Sequence, residues 1–224
     1  MTAPDALLLD LDGVLADVER SYRALVVATA ATFGVAITRA GVLAATLAGD
    51  ANNDWRLTQR LLADRGVHVP LDEVTARYQA RYLGTDGGPA LRETETLIPP
   101  LAVVEALAAR LPLAVVTGRP RDEAAWFLDR EGLAPLIATT VAMEDAPAKP
   151  DPAPVRLALD RLGVRAAWMV GDTPDDVRAA VAAGVTAWGV VAPGDDPAAA
   201  GAALLAAGAT AVLPSLSALL DRLP

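Results

Sequence analysis

The stretch LLLDLDGVLAD, residues 7–17, decides how the rest of this chain is read. Three consecutive leucines run without alternation into Asp10 and Asp12, and Gly13 follows. An unbroken apolar run of this kind suits a strand buried on both faces, as in a parallel sheet. Two carboxylates at the exit of such a strand are costly unless a cation neutralises them. A hard divalent ion with oxygen ligands, Mg²⁺ above all, suits such a pair. Turn or helix-capping aspartates are the plainer alternative. Gly13 lets the chain turn sharply.

Working outward, five more apolar runs end in Gly, Asp, Pro or Thr: LPLAVVTGRP (111–120), LIATTVAMED (136–145), AAWMVGDTP (166–174), TAWGVVAPG (186–194) and ATAVLPS (209–215). Helical patterns lie between them. PRDEAAWFLDREG (120–132) has Pro120 at a first-turn position and Gly132 as a stop, and DPAPVRLALDRLG (151–163) and PDDVRAAVAAG (174–184) follow the same plan. Strand–helix alternation predicts an α/β fold, a Rossmann-like, doubly wound parallel sheet with helices on both faces. Residues 17–97 break the rhythm. They carry four helical segments without a convincing strand between them. The expected organisation is a core of 1–16 and 98–224 with a helical cap, 17–97, inserted after the first strand. An insert there would stand over the carboxyl ends of the strands, where open α/β sheets bind ligands.

Bulk properties remove several function classes. The 224 residues carry a net charge of −9, which argues against nucleic acid or an anionic membrane surface as partner. Cysteine is absent, so thiolate chemistry and disulfides are excluded, and the single histidine, His68, excludes a His-cluster metal site. Residues 197–220 are uncharged. Gly201, Gly208 and Pro214 interrupt them, so they read as helix, turn, strand, turn and helix rather than a membrane span. No signal-peptide pattern opens the chain, and the expected compartment is the cytoplasm.

Three more stretches carry chemistry. VVTGRP places Thr117 and Gly118 between a strand and a helix, where a hydroxyl and exposed N–H groups make an anion cradle or an ordinary capped turn. Arg119 reads either as a phosphate or substrate ligand or as a solvated side chain. In MVGDTPDD, Asp172 leaves a buried strand and Asp176 follows one helical turn later, so both can face one point. Lys149, in MEDAPAKPDP (143–152), is the only lysine beside eighteen arginines. A thin stem with a compact charge fits a slot where a planar guanidinium would not.

The order Asp-x-Asp-Gly-Val, Thr-Gly, Lys-Pro and Gly-Asp-x-x-x-Asp resembles the haloacid dehalogenase superfamily, phosphatase type, with a small helical cap. Motifs that agree with their structural context are stronger than motifs alone. The resemblance implies a Mg²⁺-dependent hydrolysis of a small phosphorylated metabolite. Asp10 is the implied nucleophile, forming an aspartyl-phosphate. Asp12 is the implied general acid and base. Mg²⁺ is implied on Asp10, the main-chain carbonyl of Asp12, and Asp172, with Asp176 orienting its shell. Thr117, Gly118 and Lys149 would hold the phosphoryl oxygens, Lys149 also pairing with Asp10. Members that cleave carbon–halogen bonds lack an acid at position 12, so phosphoryl chemistry is the better reading.

In the insert, Asn52 and Asn53 read as the N-cap of a helix starting near Asp54, or Asn53, Asp54 and Trp55 as a specificity loop, and Glu19, Tyr22 and Arg23 either as substrate contacts or as a solvated face. DGVLADVERSYR, ANNDWRLT and TGRPRDEA are similar to a histidinol-phosphatase-like subset. A cationic substrate would find partners in Glu19, Asp50 or Asp54. The alternatives are a phosphomutase of the same fold, similar to β-phosphoglucomutase, and a non-catalytic phosphometabolite-binding protein. The protein is expected to be a monomer or homodimer.

Overall fold

A computed structural model of the chain describes residues 3–223. The chain divides into two compact units, one of residues 1–17 and 97–224, the other of residues 18–96. In chain order the strands are β1 (Ala6–Leu9), β2 (Ala16–Asp17), β3 (Thr96–Leu97), β4 (Leu113–Val116), β5 (Ile137–Val141), β6 (Ala167–Gly171), β7 (Thr186–Val190) and β8 (Val212–Leu213). The helices are α1 (Tyr22–Thr32), α2 (Arg39–Ala48), α3 (Asp54–Ala63), α4 (Leu71–Leu83), α5 (Leu101–Ala108), α6 (Arg121–Arg130), α7 (Ala153–Leu162), α8 (Pro174–Ala183) and α9 (Pro197–Ala207).

The first unit is an α/β, Rossmann-like fold. Its sheet has the order β5-β4-β1-β6-β7-β8, and every pairing is parallel. The chain moves from β1 to β4 and β5 on one side, then returns to β6, β7 and β8 on the other. The order therefore reverses at β1, and ligands of open α/β sheets bind where the order reverses. Leu9 lies opposite Val115 of β4 and Val170 of β6, so the exits of these three strands are side by side.

Burial on both sheet faces explains the unbroken apolar runs. Ala6, Leu8, Ala114, Val116 and Met169 form one core cluster with Val155 and Ala158 of α7, Val177 of α8 and Leu204 of α9. Their alternate neighbours Leu7, Leu9, Val115, Trp168 and Val170 are equally buried. Each buried Leu, Val or Met among them contributes roughly 1.5–3 kcal/mol of transfer free energy. The Trp168 and Trp188 rings meet at 5.2 Å.

Some local details differ from the sequence reading. Pro120 is the residue before the first turn of α6, not within it. The last expected helix is a short 3-10 segment, Leu216–Leu219. Among the described residues, no helix is long and apolar enough to cross a membrane.

The second unit is a bundle of α1 to α4. Tyr22 of α1 meets Tyr78 and Tyr82 of α4, with ring centroids 6.0 and 5.1 Å apart. The Tyr78 hydroxyl donates to the Tyr22 carbonyl at 3.1 Å, which satisfies a phenol at a fully buried position. Arg77 covers the Phe33 ring at 4.0 Å and donates to the Thr32 carbonyl.

Candidate active site

β1 delivers Asp10 to the point where the strand order reverses, and the Asp10 amide still donates to Val170 at 2.9 Å. Asp10 Oδ1 accepts from Lys149 Nζ at 2.7 Å. The same ammonium donates to the Val116 carbonyl at 3.0 Å and lies 2.5 Å from Asp176 Oδ1. Asp172 closes the group: one carboxylate oxygen from each of Asp10, Asp172 and Asp176 lies within 4.8 Å of the others. All four side chains are buried.

Two glycines make this approach possible. Gly13 has φ +75, and a Cβ there would fall inside the Asp172 carboxylate. A Cβ at Gly171 would collide with the Asp176 side chain. Asp176 has a second duty. Its Oδ2 accepts from the Thr173 amide at 3.0 Å and hydroxyl at 2.6 Å, while Thr173 Oγ1 accepts from the Asp176 amide. That is a capping box opening α8. Asp176 thus opens the helix through one oxygen and faces Lys149 with the other. Asp175 turns elsewhere, toward Arg178 at 3.4 Å.

Three buried carboxylates against one ammonium leave two net negative charges when all are ionised. Burial pushes the Asp10 carboxyl up to about 7; Lys149 opposes that rise, and Asp176 and Asp12 add to it. Burial alone would lower Lys149, but Asp10 and Asp176 outweigh it and hold the ammonium above its ordinary range. The ammonium therefore stays charged, while burial first, and then the neighbouring Asp176 and Asp12, favour the protonated form of Asp10. A divalent cation among the three carboxylates would bring the sum to zero and release that proton. An all-oxygen, three-carboxylate donor set suits a hard divalent cation, so these residues fit one.

Asp12 is balanced separately. Arg119 Nε and Nη2 lie 2.6 and 2.5 Å from the same oxygen, Asp12 Oδ1. The guanidinium has no solvent exposure, whereas the Asp12 side chain keeps 29% of its surface. Arg119 is thus not the solvated side chain that one sequence reading allowed. Its ring neighbour is Phe127, 5.4 Å from the guanidinium carbon. Its amide donates to Thr117 Oγ1 at 3.1 Å and its carbonyl accepts from the Met143 amide, so the backbone is pinned as well. Thr117 is buried and Gly118 half-buried at this same strand exit.

Glu123, on the first turn of α6, was not singled out from the sequence. It is buried, and burial, with Asp12 and Glu144 adding, pushes its carboxyl up to about 8. In sequence it is indistinguishable from the acids that decorate helix starts.

The insert residues belong to the helical unit. Asn53 caps α3, accepting from the Arg56 amide at 3.0 Å. Asp54 opens α3 with its carboxylate 3.5 Å from the Tyr78 hydroxyl. Trp55 on α3 and Arg23 on α1 are half-buried. Glu19 pairs with Arg39, and Asp50 with Arg60.

The model of haloacid dehalogenase-like hydrolases matches residues 4–184. The chain belongs to this family. Over its whole length it is 44% identical to an imidazoleglycerol-phosphate dehydratase of Phytophthora nicotianae, covering 54% of that protein. The chain spans about half the length of the first curated relatives it matches. It is 34% identical to a plasmid-encoded phosphoglycolate phosphatase of Cupriavidus necator, over 88% of the chain and 86% of the relative. Among solved structures, a haloacid dehalogenase family hydrolase of Deinococcus radiodurans with bound phosphate and sodium is 27% identical. It has a TM-score of 0.70, with 97% of this chain and 94% of that one covered.

Proposed function

We propose that this chain is a Mg²⁺-dependent phosphatase that hydrolyses a small phosphomonoester through an aspartyl-phosphate on Asp10. The observation that carries the reading is the buried ammonium of Lys149 between Asp10 and Asp176, beside a third carboxylate and an independently balanced Asp12. A phosphoryl dianion can approach such a centre only if positive charge is already in place.

Asp10 attacks phosphorus in line, and the bond to the leaving alkoxide breaks as that oxygen takes the proton of Asp12. Asp12 then removes a proton from the water that attacks the acyl phosphate, returning Asp10 and phosphate. Lys149 neutralises charge on the phosphoryl oxygens, helped by Thr117 and the Gly118 amide. Asp10, Asp172 and Asp176 would hold the cation, joined by the Asp12 carbonyl. When bound, it supplies electrostatic stabilisation of the phosphoryl oxygens and screens Asp10 from the incoming anion.

Two relatives are named as a phosphoglycolate phosphatase and a pyrophosphatase, and a third is named for a phosphorylated metabolite, which supports a small phosphorylated metabolite as substrate. The similarity to a protein named for imidazoleglycerol phosphate, together with the histidinol-phosphatase-like stretches, favours an alkyl phosphate bearing an imidazole. The dehydratase activity named there belongs to a protein about twice as long and is not carried over. The reading predicts cytoplasmic hydrolysis by a monomer or homodimer.

The test is phosphate release from p-nitrophenyl phosphate and from a panel of histidinol phosphate, phosphoglycolate and sugar phosphates, with Mg²⁺ and with EDTA. Mg²⁺-dependent release that needs no sugar bisphosphate supports hydrolysis. A requirement for the bisphosphate would indicate a phosphomutase. No release from any ester would leave a binding protein.

A further inference from the structure

We propose that Arg119 is a positioning residue for proton transfer: its fork holds Asp12 by Oδ1 so that Oδ2 carries the proton to the leaving oxygen. The inference rests on the phosphatase reading above and goes beyond it by giving Arg119 a role other than binding phosphate.

Two nitrogens of one guanidinium converge on one carboxylate oxygen. That arrangement occupies Oδ1 and distinguishes it from Oδ2. A carboxyl group with one oxygen engaged by the Nε hydrogen bond and pressed against the charge of Nη2 exchanges its proton through the other. The Arg119 side chain is wholly buried while Asp12 remains partly exposed, so the cation lies behind the acid, on the protein side. A residue meant to grip a substrate phosphate would present its guanidinium outward. Phe127 lies against the guanidinium, while Thr117 at the Arg119 amide and Met143 at its carbonyl pin the backbone that carries it. Lysine would keep the charge but could not reproduce a planar two-nitrogen contact. Proton transfer from a side chain held within hydrogen-bond reach is worth typically 10²–10⁴-fold, and it depends on that hold.

Leaving-group chemistry separates this role from others. An alkoxide leaves only with a proton, whereas dinitrophenolate leaves without one. The value of kcat/KM reports steps through formation of the aspartyl-phosphate, before water attack calls on Asp12 again. The experiment compares wild type, Arg119→Met and Arg119→Lys on the panel's fastest alkyl ester and on 2,4-dinitrophenyl phosphate. For Arg119→Met the expected result is a loss in kcat/KM of about 100-fold on the alkyl ester and under about 5-fold on the aryl ester. KM for the alkyl ester should stay within about 3-fold of wild type, because the guanidinium does not touch substrate. Arg119→Lys should show the same selective loss, and it carries the test alone if the Met variant does not fold. Equal losses on both esters, or a rise in KM that accounts for the loss, would overturn the inference while leaving the phosphatase reading intact. Arg119→Lys with the wild-type ratio between esters would also overturn it. A wild type that hydrolyses neither ester overturns the phosphatase reading and this inference together.

Discussion

Charge is handled in opposite ways in the ion pairs of the helical unit and in the acid cluster of the α/β unit. In the helical unit the ion pairs lie on the surface: Arg60 with Asp50, Arg77 with Glu73 four residues before it, and Arg81 with Asp86. Water solvates either partner alone, so each pair is worth only about 0–1 kcal/mol. In the α/β unit Asp10, Lys149, Asp172 and Asp176 are all within 4% of complete burial. There the one ammonium offsets three acids, and removing it exposes them to the full cost of desolvation. The contrast teaches where to look for chemistry. A surface pair tolerates neglect, whereas a buried knot of like charges has to be relieved by an opposite charge or by protonation.

The largest effect should come from the centre of the knot. Asp10→Asn is expected to lower turnover by about 10⁴-fold or more, read as phosphate release at saturating Mg²⁺. Its urea midpoint in EDTA should not fall, because one uncompensated acid is gone. Next comes Lys149→Met, which leaves three acids and no ammonium. It should cost about 3–5 kcal/mol in urea denaturation, with Mg²⁺ restoring part of the loss.

Asp145 gives an intermediate case. Arg161 holds its carboxyl well below the ordinary carboxylate range; burial opposes this, and the Ala142 amide and Arg121 assist. A depressed folded value means stability present at neutral pH and lost as the pH falls through that range. Asp145→Asn should therefore destabilise the protein at pH 7, and the difference from wild type should narrow steadily as the pH is lowered through the acid range, read by denaturation at several pH values. The smallest effect belongs to the helical unit. Asp50→Ala, which removes a 95%-exposed partner of Arg60, should move stability by no more than about 0.5 kcal/mol. A larger change would erase the contrast between the units.

What the sequence revealed follows the same division. Strands buried on both faces write themselves as unbroken runs, so β1, β4 and β6 and their polar exits were legible. Lys149 stood out because composition isolated it, even though its partner Asp10 is 139 residues away. The Asp12–Arg119 contact spans 107 residues and uses a residue type common in this chain, so nothing local announces it. Glu123 looks like any first-turn acid until its burial is known. α5 was not assigned, since LAVVEALA is apolar nearly all round and lacks the stripe that marks a helix. The site was thus legible where composition or strand exits marked it, and hidden where pairing depends on tertiary approach.

The central claim is that Asp10, Asp172 and Asp176 carry surplus negative charge that a divalent cation completes. Calorimetric titration of Mg²⁺ into wild type and Asp172→Asn tests it most directly, with urea midpoints of both in EDTA. The account predicts one Mg²⁺ bound by wild type with proton release at pH 7, binding weakened at least about 10-fold in the variant, and a variant no less stable than wild type in EDTA. Equal Mg²⁺ binding by both proteins, or none by wild type, would contradict it.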